Sequence, residues 1–233
     1  GPLRQASQSA PFTVQIMAYP NPAFSESRIE VLHAAMREIA FGTLLTQAGG
    51  DFVASHLPFE LDAQPAPNGT LLGHIARYNP QWRDIGEEGV PALAIFNGPH
   101  AYVSPSWYPG KRDDPRQVPT WNYIAVHARG RLRVFHDRER LLELLTRLVE
   151  RNERGRAEPW AITDAPQDYL HEQMHYIVGL ELVVERLEGR YKLSQNRDEA
   201  DREGARSGLS QGNERERAVA EAIVVATQSR GPV

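Results

Sequence analysis

The chain has no cysteine. That excludes disulfides, thiolate zinc sites, iron–sulfur clusters and cysteine nucleophiles. It also lacks any apolar run near the ~18 residues of a membrane span, and it shows no signal-peptide pattern. A cytoplasmic protein with no membrane partner is expected. No charge surplus exists either: 26 Lys and Arg face 30 Asp and Glu, for a net charge of −4. The chain as a whole therefore offers nucleic acid no electrostatic footing, although a local patch fits the same totals. Internal repeats and sustained heptads are missing too. What is present is ordinary: 233 residues, 41% apolar and 24% charged, suit one domain, or one domain with a helical appendage. The leading Gly1-Pro2 resembles a protease-cleavage remnant and carries no argument.

Along the chain, residues 1–16 read as a small, polar tail with a short extended piece at 12–15, and the prolines of 19–22 mark a turn. Ile29, Leu32, His33, Met36 and Ile39 recur at helical spacing, which predicts a helix starting at Ser25. The period then changes. Strands are expected at 41–46, 52–61 and 70–76, with Pro58 as an edge or bulge signal. Asn79 and Pro80 look like the cap and first residue of a helix. Further strands are expected at 92–96, 101–103 and 180–187, with a long bent one at 120–134 kinked near Gly130. Helices are expected at 137–150 and about 166–177. Six or seven short strands joined mostly by hairpins argue for an antiparallel β-barrel with peripheral helices. The end of the chain, 210–233, reads as a helical or disordered tail in which 219–225 could pack on the domain or on a partner.

Four stretches could carry chemistry. In residues 74–82 (H-I-A-R-Y-N-P-Q-W) a strand ends, Arg77 follows and a helix begins. Free N–H groups at a helix start favour an anion, and Arg77 could add a bidentate contact to phosphate; a capped helix beside an exposed arginine is the plainer reading. Residues 97–108 (N-G-P-H-A-Y-V-S-P-S-W-Y) crowd rings and hydroxyls into a turn, which suits a planar ligand or simply plugs a barrel end. In residues 118–123 (V-P-T-W-N-Y), alternation puts Thr120 and Asn122 on one face and Trp121 and Tyr123 on the other. The polar pair could meet a heterocycle, or water. Residues 190–197 (R-Y-K-L-S-Q-N-R) could hold an anion, or form a solvated charged loop. His171-Glu172-Gln173-Met174-His175 matches H-E-x-x-H, but no third ligand is placed downstream and Val178 departs from the longer pattern, so no metal is assigned.

Taken in order, these four stretches closely resemble the PaiB-like family of FMN-binding negative transcriptional regulators, from about Met17 to Leu209. The resemblance implies a mainly β fold, the dimeric FMN-binding split β-barrel, with the cofactor at the homodimer interface. By position it implies that Ser55, His56 and Leu57 lie along the flavin. His74, Ala76, Arg77 and Asn79, with Trp82, would hold the phosphate or ribityl end. Thr120, Trp121 and Asn122 would lie near the isoalloxazine. Lys192, Ser194, Gln195 and Arg197 would reach in from the last strand, of this subunit or the second. Related piperazate synthases use haem b to close an N–N bond. Their last motif looks like K-L-S-Q-E-Q where this chain has Asn196-Arg197, which favours the flavin branch; His56, His74 and His100 are the axial candidates if haem is bound. A regulatory module, an FMN-dependent oxidoreductase and a haem enzyme thus stay open. No helix-turn-helix or basic stripe supports DNA as a partner beyond the family label.

Overall fold

Alternating burial along eight strands builds a single antiparallel sheet in the computed structural model, which describes residues 21–228. The extended piece expected at 12–15 and the start of the 19–22 turn lie outside these residues. The strands are β1 (Ser25–Glu26), β2 (Phe41–Ala48), β3 (Asp51–Pro58), β4 (Glu60–Asp62), β5 (Thr70–Ala76), β6 (Val90–Val103), β7 (Thr120–Phe135) and β8 (Ile177–Lys192). Their order across the sheet is β3-β2-β6-β7-β8-β5-β4, with β1 paired to β8. β3 and β4 are one run of chain broken at Phe59, so the backbone itself passes from one sheet edge to the other. Gly73 lets β5 approach that corner, because a Cβ there would lie 2.7 Å from Leu57 Cδ1. The result is the antiparallel barrel that the strand count and hairpin connections predict, in the split form that the family resemblance implies.

The inward residues Leu44, Leu57, Phe59, Leu71, Phe96, Val126, Leu132 and Leu182 fill the barrel. Helix α1 (Ile29–Ile39) adds Leu32 and Met36 to that core. Helix α2 (Arg138–Glu153) is capped by Asp137 and packs Leu141, Leu144 and Leu148 on Phe135 and on Met174 of α3 (Gln167–Met174). A second core joins Ala101, Val103, Tyr108 and Leu193 to Ala205 and Leu209 of α4 (Glu199–Ser210) and to Val219, Ala220 and Ile223 of α5 (Glu214–Gln228). The segment around 219–225 is thus a helix packed on the end of β6.

Four local expectations need correction. The first helix begins at Ile29, four residues later than Ser25. Ser25 and Glu26 instead pair with Arg190 and Gly189, and the Glu26 carboxylate accepts from the Ser27 and Arg28 amides, which fixes a turn. The single strand expected at 52–61 is two. The helix expected after Asn79 is one 3-10 turn, Pro80–Trp82; Asn79 caps it, but Gln81 turns inward and donates to Thr46 Oγ1 at 3.0 Å and Val53 O at 3.2 Å. The strands expected at 92–96 and 101–103 are one, β6, interrupted by a bulge between Asn97 and His100. The kink expected near Gly130 is a second bulge, where the β7–β8 register shifts between Arg129 and Gly130.

Candidate functional site

The nominated residues gather into two groups. The first sits where β3, β5 and the 3-10 turn meet. Asn79 Nδ2 donates to Ser55 Oγ at 2.8 Å, and Trp82 Nε1 donates to Arg77 O at 2.9 Å. Arg77 lies against the Trp82 ring, and its Nε and NH2 donate to the carbonyls of His175 and Ile177 at 2.5 and 2.9 Å. Its guanidinium thus ties the end of β5 to the start of β8. With no helix behind Asn79, the dipole argument for an anion there falls away. His56 is exposed and its Nδ1 lies 3.0 Å from Thr43 Oγ1. Leu57 is buried in the barrel core and Ala76 is half-buried at the strand end.

The second group lies where β7 and β8 end. Thr120, Asn122, Tyr123, Arg190, Lys192, Ser194 and Arg197 line a cavity of about 380 Å³ roofed by Asn21 and Phe24. Asn122 is fully buried, and its Nδ2 donates to Ser194 Oγ at 2.9 Å. Asn122 Oδ1 is buried with no partner among the described residues. Buried acceptors are rarely left so, and this one is open to a donor from a ligand or a water. Lys192 donates to Thr120 Oγ1, and Arg190 Nε donates to the Tyr123 hydroxyl at 3.3 Å. Burial, then the nearby Arg190 and Arg197, push the Lys192 ammonium below its usual pKa. Arg197 stacks on the Tyr108 ring at 4.6 Å and donates to Gln117 at 2.6 Å. Three cations around one small cavity make it a place for negative charge.

Two nominees lie elsewhere. Trp121 points to the outer face with Tyr102 and His100, its ring 6.3 and 6.4 Å from theirs, and is 51% exposed. Gln195 turns away from its neighbours: its Oε1 accepts from the Leu193 amide at 2.7 Å, its Nε2 donates to Tyr191 O, and it lines a different cavity. Sequence reading did not nominate Phe24 or Asn21. Nothing local signals them, because β1 pairing with β8 is what brings them over the cavity. The three axial candidates are dispersed over β3, β5 and β6. His100 Nδ1 is 3.1 Å from Gly98 O, whereas His74 Nδ1 is buried and unpartnered among the described residues, and burial holds its pKa down. Of the H-E-x-x-H pair, His175 falls past the last residue of α3, as its C-cap.

His56 of the first group and Tyr123 and Lys192 of the second share a sheet face but not a place on it. His56 pairs with Thr43, Thr43 with Ile95 and Ile95 with His127. Tyr123, on the same face, lies four residues from His127 along β7, about 13 Å at ~3.3 Å per residue, and β3 lies three strands from β7, about 14 Å at ~4.8 Å per strand. Between them, Leu45, Leu93, Ile95 and Ala125 stay half-buried on the outer face, and Phe41 and Phe52 are exposed beside them.

Comparison with known proteins agrees with this architecture. Residues 18–186 match the family described as "Putative FMN-binding domain". The chain is 36% identical over 178 residues to protease synthase and sporulation protein PAI 2 of Bacillus subtilis, covering 76% of this chain and 82% of that protein. It is 32% identical over 225 residues to an uncharacterized protein of Emericella nidulans, covering 82% and 90%. Among solved structures, the flavocytochrome Anf3 of Azotobacter vinelandii superposes with a TM-score of 0.52 at 11% identity, over 72% of this chain and 69% of that one. The FAD and heme binding protein of Mycobacterium smegmatis superposes with a TM-score of 0.50 at 19% identity, over 72% and 73%. Those two likenesses concern the fold. The chain belongs to the PaiB-like FMN-binding-domain family, built on the split β-barrel.

Proposed function

We propose that this protein binds FMN in a cleft shared by two copies of the chain. The observation that carries the reading is the cavity of Arg190, Lys192 and Arg197 with its buried, unpartnered Asn122 acceptor. The phosphate tail would be held by those cations, and a ribityl hydroxyl would satisfy Asn122. The flat ring would lie along Ser55 and His56 of the second copy, beside Asn79. Arg77, already committed to backbone carbonyls, positions that strand end. One chain holds its two half-sites about 13 Å apart along β7 and about 14 Å apart across the strands. A two-fold pairing through the half-apolar outer face of β2, β6 and β7 would place each half-site against its complement.

Bound flavin supplies redox chemistry, and this chain's residues bind it, orient it and exclude water. An oxidoreductase that reduces or is reduced through that flavin follows from the reading. Any regulatory role would act through ligand binding rather than DNA contact, a reading supported by the overall charge of −4, which brings no surplus of cations. Two titrations test the site: FMN and riboflavin added to the wild type, and to a Lys192→Ala/Arg197→Ala double variant. The variant should bind FMN about tenfold to a hundredfold more weakly, while riboflavin, which lacks the phosphate, changes little. Equal loss for both flavins would remove the phosphate from this cavity. Ile95→Glu on the outer face should sediment as a monomer and lose FMN. A wild-type monomer with full FMN affinity would overturn the shared cleft.

A further inference from the structure

Strand alternation gives β7 and β8 a second, opposite face, and a second cavity lies there. Tyr123 and Lys192 line the cation cavity, whereas their neighbours Ile124 and Tyr191 line a separate cavity of about 630 Å³. Its floor is the β6 bulge: Gly98 and Pro99 stand opposite the single residue Ile124, which pairs with Tyr191 of β8 but has no partner in the β6–β7 register. One wall is α1, with Val31, Ala34, Ala35 and Ile39, and the other is α5, with Ala218, Ala222 and Val225. Ala34 and Val225 are exposed, so apolar surface continues to the mouth.

The polar groups of this cavity are biased. Glu26, Glu38 and Glu221 line it against one cation, Arg28. Arg28 is paired to Glu26 at 2.6 Å. Glu38 and Glu221, on opposite walls, have no ion partner among the described residues. The Tyr191 phenol reports the same field: burial first, then Glu26 and Glu38, push its pKa up to about 12. The volume lies in the range of small-molecule sites, and narrow walls of alanine and valine suit a slender apolar body.

We propose that this cavity binds a monoamine with an apolar tail, its chain between α1 and α5 and its ammonium held by Glu38 and Glu221. The inference stands apart from the flavin site, since the two cavities share no lining residue.

Calorimetric titration of the full chain tests it, with n-octylamine, n-octanol and octanoate as probes. Octylamine should bind saturably at one site per chain, octanol more weakly, and octanoate least. Glu38→Gln/Glu221→Gln should weaken octylamine about tenfold and leave octanol unchanged, because each exposed charge contributes modestly. Ala34→Trp, on an exposed helix position, should block both. Octylamine binding no tighter than octanoate would overturn the proposal. So would a double variant that is folded by circular dichroism and keeps full octylamine affinity. So would an Ala34→Trp variant whose only change is in sedimentation, since the cavity would then belong to a second copy.

Discussion

Replacing Asn122 by leucine separates a binding residue from a structural one. The side chain is fully buried, donates one hydrogen bond to Ser194 Oγ, and leaves Oδ1 without a partner. A buried unsatisfied polar group costs about 1–3 kcal/mol, and a typical hydrogen bond contributes about 0.5–1.5 kcal/mol. Leucine has the same branching and removes the unsatisfied acceptor, but it leaves the buried Ser194 Oγ without its donor, a cost of about 1–3 kcal/mol of its own. The flavin-free variant should therefore lie within about 2 kcal/mol of the wild type on either side. At an m-value of roughly 2 kcal/mol per M, the urea midpoint should move by no more than about 1 M. Flavin affinity should fall in either case, weakening roughly fivefold to a hundredfold as the ligand's hydroxyl loses its acceptor. FMN and riboflavin should suffer alike, which distinguishes this residue from Lys192. Urea denaturation of the flavin-free protein and fluorescence titration of flavin give the two numbers. A variant that loses more than about 2 kcal/mol of stability while keeping its flavin affinity would show that Asn122 is a structural residue, and the reasoning about the cavity would fail.

Glu60→Ala tests how α2 is fastened to the barrel corner. Glu60 pairs with Arg151 at 2.6 Å, and Arg151 also donates to Phe59 O at 2.8 Å, so the substitution leaves a half-buried guanidinium unpaired. A loss of about 2–3 kcal/mol is expected by urea denaturation, below the ~3–5 kcal/mol of a fully buried pair because Arg151 is partly in water. His74 and His127 make stability depend on pH. Burial lowers both pKa values from 6.5, and Arg129 lowers that of His127 further, so below about pH 6.5 the unfolded chain binds protons that the folded chain does not. Stability should be full above that pH and fall as pH drops from 7.5 to 5.5, and His74→Gln/His127→Gln should flatten the slope of urea midpoints against pH.

Most strand positions and the antiparallel barrel were legible because they follow from a period of two with turn residues between runs, whereas the strand order was not read. The bend at Gly130 was legible because glycine within a long strand marks a bulge. What failed was local. Glu26 reads as a helical residue, yet its carboxylate closes a turn on Arg28 and its backbone joins β8, a partner more than 160 positions away. Asn79-Pro80 carries every mark of a helix start, and the cap hydrogen bond does form. The helix stops after one turn because the Gln81 side chain is drawn into the sheet, and no local pattern encodes that pull. The cation cavity was half legible. Arg190, Lys192 and Arg197 lie in one short run, but Phe24 reaches them only through the tertiary path of β1.

The two bulges do more than bend strands, because register decides which chemistry each face receives. A slip of one residue in β7 or β8 would exchange Lys192 with Tyr191 and Tyr123 with Ile124, putting the cations behind the sheet and the apolar pair at the outer cleft. Gly130 guards against this at the β7–β8 bulge: a Cβ there would lie 1.9 Å from Val183 O, so only glycine fits that register. On the other strand the bulged Glu185 carbonyl accepts from Asn68 Nδ2 at 2.9 Å, which satisfies the group that a bulge leaves unpaired. At the β6–β7 bulge, a Cβ at Gly98 would lie 3.1 Å from Ile124 Cβ, so a side chain there would press on the floor of the second cavity. Both cavities thus depend on the same two irregularities. The residues that make the sites possible are a glycine at each bulge as much as the charged groups they present.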